Sequence, residues 1–431
     1  MKKVLPIILV FILLGAGAYW YFFMRTSTDT ATPDGGQTPS GFTPFGRTPT
    51  GNGEPSTPTT QVPSGSTTTP VTAVKLPALR LLSTTPIGGY GASTTATTTV
   101  VRWIDRGRGN IIEAHGDKLD LLTISNTVVP RVYSSIWNKN LTAFIGSSFL
   151  DNTSQTSTVY ADIRLRPVPK VATSTASSTL PTVPAVQSLT PYELAGKGLP
   201  DNLIAYAASP KKDKLFMLIN ESGTGVGYVS SFDGKSITQI FTTPITQVNV
   251  EWPEEKTIAI TTKGTASEGG FLYFVDPKSG IWRKIAGPVI GISTKVSTDA
   301  KRVLISSGGK TLSSNLYTIA DGTTVDAIVR TMSDKCVWGN FYKEMVYCAA
   351  PSQPIVGSYP DDWYKGSVSF VDKIWQINGA TGEIKLISSI VDKSDRVIDA
   401  FNLGLDEKDD FLFFMNKNDL TLWSLDLVSS N

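Results

Sequence analysis

The stretch "TQVNVEWPEEKTIAITTKGTASEGGFLYFVDPKSGIWRKIAG" (246–287) contains four short strands and little else. "TQVNVEW" reads as a strand, "PEEK" as a turn, and "TIAITT" as a second strand. "GFLYFVD" is a third, "PKSG" a turn, and "IWRKIAG" a fourth. Alternating or wholly apolar runs bounded by Gly, Pro, Asp and Lys clusters are strand signals.

The unit recurs along the chain. Prolines at the join between one apolar strand and the next stand at Pro86, Pro130, Pro200, Pro244 and Pro288, at intervals of 44, 70, 44 and 44 residues. The interval of 70 is 44 with an insertion of 26. A further step of 44 reaches Met332, and a last unit begins near Arg396. "LLSTTPIGGYG" (81–91) and "IFTTPITQVNV" (240–250) repeat the frame T-T-P-I because each marks the passage from a fourth strand to the next first strand. Third strands align on Tyr160, Tyr228, Tyr273, Tyr317, Trp375 and Trp423, and several first strands finish on Trp137, Trp252 or Trp338. These aromatics read as packing between units, since each buries a large area.

A four-stranded sheet of about 44 residues cannot cover both of its faces alone, and radial stacking covers them. The sequence therefore predicts an all-β, seven-bladed β-propeller of four-stranded blades. The last unit has only three strands, "FNLGLDEK", "DFLFFMN" and "TLWSLDLV", whereas "LRLLS" (79–83) precedes the first complete unit. The N-terminal strand is expected to complete the C-terminal blade, which leaves no free interior edge.

Ahead of the repeats, residues 1–25 read as a signal anchor. Lys2 and Lys3 precede an uncharged apolar run from Val4 to Met24, and Arg25 follows it. Such a run spans about 31 Å as a helix, the thickness of a bilayer core. The cluster Tyr19 to Phe23 suits an interfacial belt, and the lysines favour a cytoplasmic N-terminus. The competing reading is a cleaved signal peptide with Ala16-Gly17-Ala18 as the processing site. Residues 26–75 are Thr, Pro, Gly and Ser with almost no aliphatic side chains, and read as a disordered linker reaching roughly 40 Å. The propeller is assigned to residues 76–431.

The turns "ASPKKDKLFML" (208–218) and "KVSTDAKRVLI" (295–305) come closest to the motif W-S-P-D-G-K before an apolar strand, though no copy is perfect. With "LYFVDPKSG" they resemble the TolB-type, WD40-like (PD40-like) repeats of bacterial β-propellers over about residues 79–427. The resemblance implies the fold and a tendency to bind other macromolecules, without a defined activity. With an anchor and a stalk, it points to a single-pass protein of the bacterial cell membrane whose propeller is extracytoplasmic. Its expected partners are an envelope or extracellular protein or a glycan.

Composition excludes several classes. The chain has 431 residues and a net charge of +2 from 39 basic and 37 acidic side chains, so it has no basic field for nucleic acid. Two cysteines and one histidine cannot build a zinc-finger metal site. No G-x-S-x-G or H-E-x-x-H occurs, and "GKS" (234–236) and "GKT" (309–311) lack the upstream glycine of a phosphate loop. His115, at a strand end, reads as a turn residue. No catalytic residue, cofactor or metal ligand is assigned.

The candidate ligand-binding residues are Asp361, Asp362, Trp363, Tyr364 and Lys365, in an insertion (351–372) between the second and third strands of the sixth unit. Carboxylates beside aromatics suit a sugar, a peptide or a cation. The same residues also suit a loop folded onto its own blade, with Trp363 as anchor and the aspartates as turn residues. The alternative activity is an exported, carboxylate-dependent glycan hydrolase using Asp361 or Asp362. Cys336 and Cys348, each six residues from Tyr342, are expected to face each other across a hairpin and form a disulfide.

Overall fold

The computed structural model describes residues 76–125, 127–149, 156–166 and 192–429. The expected anchor (1–25), its competing cleavage site, the linker (26–75) and residues 167–191, which include all but the first residue of the insertion "RPVPKVATSTASSTLPTVP" (166–184), lie outside the described residues. No helix among the described residues is long and apolar enough to cross a membrane.

Seven antiparallel sheets of four strands each follow one another along the chain. Their innermost strands are Ile87–Thr94, Val132–Trp137, Leu203–Ala208, Val248–Glu254, Ser293–Val296, Cys336–Trp338 and Ala400–Leu405. Each begins within five residues of the repeat marker read from the sequence. Pro288 itself lies inside an outer strand, Trp282–Ile290, which is longer than expected because irregular register at Gly270–Tyr273 carries it onward.

The closure is as expected. Leu79–Leu81 pairs with the last strand, Leu422–Asp426, with Leu79 opposite Leu425 and Leu81 opposite Trp423. The Leu82 N–H donates to the Leu422 carbonyl at 2.8 Å, and the Asp426 N–H to the Ala78 carbonyl at 2.7 Å. The seam between the last and first blades carries polar bonds as well. Tyr90 Oη donates to the Asn402 carbonyl at 2.7 Å, and Thr99 Oγ1 to Asp406 Oδ2 at 2.8 Å.

The core is divided among the spaces between blades, each filled by its own apolar cluster. Trp137, Trp252 and Trp338 are all buried there. Trp137 lies so close to the neighbouring blade that a Cβ on Gly91 would sit 2.6 Å from its Cβ and Cγ. Glycine is required at that contact because the backbone passes directly under the indole.

The turn joining first to second strand explains the imperfect motif. In four blades the first turn residue, Asn138, Ser209, Ser297 or Asp406, accepts the backbone N–H groups four and five positions on, at 2.7 to 3.3 Å. The fourth turn residue then adopts a left-handed conformation: Leu141, Lys212, Ala300 and Asp409 have φ between 52° and 61°. That is the position of glycine in W-S-P-D-G-K, so the motif records a backbone geometry that this chain reaches without glycine.

Candidate functional site: the rim of the blade crossings

The insertion between the second and third strands of the sixth blade does not stay on that blade. It carries a five-residue helix, Asp361–Lys365, which the strand reading did not anticipate. The local signals are present: Pro360 before it, acidic Asp361 and Asp362 in the first turn, Lys365 in the last, and Gly366 at φ 77° after it. Five residues are too few for helical periodicity to show. Tyr359 bridges to Gly309 of the fifth blade, and Asp361 Oδ2 accepts the Ala266 N–H of the fourth at 2.6 Å. The insertion thus reaches along the rim where one blade crosses to the next.

Beneath it lies a fully buried ionic group, the most enclosed among the described residues. Lys335, immediately before the sixth inner strand, has no solvent exposure, and its Nζ donates to Asp372 Oδ2 at 2.7 Å and to Asp399 Oδ1. Asp372 opens the third strand of that blade, and Asp399 immediately precedes the seventh inner strand. Asp399 also accepts Trp363 Nε1 (3.0 Å to Oδ2) and the Phe370 N–H at 3.1 Å. One carboxylate therefore joins the insertion to two blade crossings. Asp372 Oδ2 further accepts the Ala400 N–H at 2.7 Å, while its Oδ1 is buried without a partner. Burial pushes the Asp372 carboxyl up from 3.8 to about 6; Lys335 opposes the rise and Asp399 adds to it.

The structure separates the five predicted site residues. Trp363 is buried, its ring 5.3 Å from Lys335 Nζ and 5.1 Å from Lys417 Nζ, so it serves as an anchor of the insertion. Asp362 Oδ2 accepts the Ser358 N–H at 2.7 Å, a turn bond within the loop. Lys365 is exposed and lines none of the cavities described below. Tyr364 is half-exposed, with its hydroxyl donating to Asp334 Oδ2 at 3.0 Å. Trp363, Tyr364 and Asp361 border open space of substantial volume, and of the three Tyr364 is the most exposed.

That space is the mouth of the central channel. A cavity of about 520 Å³ runs over the inner strands and includes Tyr133, Glu251, Lys295, Tyr364 and Asn402. A second, of about 400 Å³, lies between Asn249, Lys263 and Asp361. Tyr364 and Asp334 line both. Glu251 pairs with Lys295 at 3.2 Å and also accepts the Val296 N–H.

Sequence reasoning missed Lys335, Asp372 and Asp399, as well as Glu251, Lys295 and Asp334. All but Glu251, which is mid-strand, stand at or near a strand end, where a charge ordinarily marks a solvated turn. Only the ring closure turns those ends inward. Cys336 and Cys348 do face each other in register, with Cα atoms 4.1 Å apart and sulfurs bonded at 2.09 Å. His115 ends its strand and contacts Glu113 Oε1 at 3.0 Å, a carboxylate shared with Arg102 at 2.6 Å. Among the described residues no group of three or more His, Cys, Asp or Glu side chains is arranged to hold a metal ion.

No family model matches the chain, and neither does any curated protein. Solved structures do. TolB from Acinetobacter baumannii aligns at 12% identity and a TM-score of 0.38, over 74% of this chain and 59% of that one. This chain thus spans less than two thirds of that TolB's length. The β-propeller domain of the Trilobed protease from Pyrococcus furiosus, described as having an open velcro topology, aligns at 11% and 0.47 over 78% and 94%. An oligogalacturonate lyase from Vibrio parahaemolyticus aligns at 11% and 0.47 over 81% and 93%. No activity transfers at these similarities, and the fold rests on the strand pairing described above. The chain is a seven-bladed β-propeller, similar to TolB and to other β-propeller structures.

Proposed function

We propose that this chain is a tethered binding module that engages an envelope or extracellular protein or glycan at the channel mouth on its blade-crossing rim, without catalysing a reaction. In this reading residues 1–25 anchor it in the bacterial cell membrane with the N-terminus in the cytoplasm, residues 26–75 are the stalk, and the propeller is extracytoplasmic. One observation carries the reading: the rim's carboxylates are committed to holding the protein together. Asp361 and Asp362 accept backbone N–H groups, and Asp372 and Asp399 enclose Lys335. Each of these carboxylates is engaged through at least one oxygen in a turn or anchoring contact, a structural use rather than one reserved for a substrate. The mouth itself offers aromatic, amide and hydroxyl groups, as a recognition surface does.

The test uses residues 76–431, which contain the 28 strands found among the described residues, the closing one included. Glycan and peptide arrays should give saturable binding without product. Turnover that disappears in Asp361→Asn or Asp362→Asn would instead establish the hydrolase alternative.

A further inference from the structure

The two cavities at the channel mouth are lobes on either side of one tyrosine. Tyr364 lines both, is half-exposed, and is held by its hydroxyl on Asp334 and by its ring against Trp363, 5.4 Å between centroids. A rigid, partly exposed aromatic face between two open lobes is a platform on which an extended ligand can lie. Trp363 offers no such face, because ammonium groups stand near its ring.

The charges of the lobes cancel. Lys263, Lys295 and Lys417 stand against Glu251, Asp334 and Asp361. Such a site has no net field to draw an anionic or cationic chain. Its remaining polar groups include Asn249, Asn402 and Tyr133, which both donate and accept hydrogen bonds. A pyranose ring presents the matching chemistry: C–H faces for an aromatic ring, and a rim of hydroxyls for amides and carboxylates. A peptide fits less well, since apolar side chains need a dry pocket and both lobes are lined by charged groups.

We infer that the channel mouth binds a neutral oligosaccharide across Tyr364, with sugar units in both lobes. The inference rests on the proposed binding role and names its ligand class. Full-length protein in detergent is titrated calorimetrically with cellohexaose, chitohexaose and maltohexaose. A hexagalacturonate and a hexa-alanine peptide serve as charged and peptide probes. At least one neutral hexasaccharide should saturate at one site per chain. Tyr364→Ala should weaken it by about tenfold, the value of one stacked ring, while Tyr364→Phe, which keeps the ring, stays within about threefold. Circular dichroism confirms that each variant is folded, and binding to an unfolded variant is not counted. If only the acidic sugar or the peptide binds, this inference fails and the binding role stands. If no probe binds and nothing on the arrays does, both fail. Neutral sugar binding that Tyr364→Ala leaves unchanged places the ligand elsewhere and also overturns the inference.

Discussion

Replacing Lys335 by methionine removes the one cation that the sixth and seventh blades and the rim insertion share. Methionine preserves much of the apolar stem, so the change is chiefly one of charge. It leaves Asp372 and Asp399 fully buried with no ammonium between them, and one oxygen of Asp372 already lacks a partner. Removing one member of a buried ion pair destabilises by about 3–5 kcal/mol. The loss depends on pH with a definite sign. In the wild type Asp372 is raised from 3.8 to about 6, so the folded protein holds this proton more tightly than the unfolded chain does. The group is therefore most favourable at acid pH, and about 3 kcal/mol of stability is lost as pH rises through the interval. Without the ammonium, which opposes the rise, the Asp372 carboxyl is pushed up further. The Lys335→Met defect should be small near pH ~4 and reach about 3–5 kcal/mol near pH ~8. Equilibrium urea unfolding at the two pH values measures it, with Trp363, 5.3 Å from the lysine nitrogen, as a nearby fluorophore. A loss below about 1 kcal/mol near pH ~8, or an equal loss at both, refutes the assignment of a buried charged cluster. The triple variant Lys335→Met, Asp372→Asn, Asp399→Asn should recover about half of the loss, because no bare charge is then left inside.

Three further outcomes are expected. Asp406→Ala removes two turn bonds and two threonine partners across the seam between last and first blades, and should destabilise by about 3 kcal/mol in urea unfolding. A loss under about 1 kcal/mol would show that the seam does not depend on it. Ala300→Gly relieves a left-handed alanine at φ 52° and should stabilise by about 0.5–1 kcal/mol after the greater chain entropy of glycine is counted; a destabilised variant contradicts the strain argument. Alkylation of the native protein without reductant should label neither Cys336 nor Cys348, and mass spectrometry showing two labelled thiols rules out the bridge. Reduction of this short loop should destabilise by about 2–3 kcal/mol.

Much of the fold was legible because a propeller is written locally. The 44-residue period, the third-strand aromatics and the unpaired "LRLLS" each follow from strand alternation and a count. The turns were legible in part. Ser209 and Ser297 sit where the motif expects serine, but Lys212 and Ala300 occupy the glycine position, which hides two copies from a search by residue type. The candidate site was read less well. "YPDDWYKG" drew attention as a cluster, yet the fold uses Trp363 as an anchor, binds both aspartates to backbone, and leaves Tyr364 facing the channel.

The sequence by itself determined the number of blades, their strand order, the closing strand and the cysteine pairing, because each depends on alternation and spacing along one stretch of chain. Only the tertiary structure decided which charges are solvated and which are enclosed. Lys335, Asp372 and Asp399 are 64 residues apart from first to last and resemble ordinary turn charges in sequence. Closing the ring brings their strand ends to one rim and removes water, and a charge there survives only when opposite charges meet it.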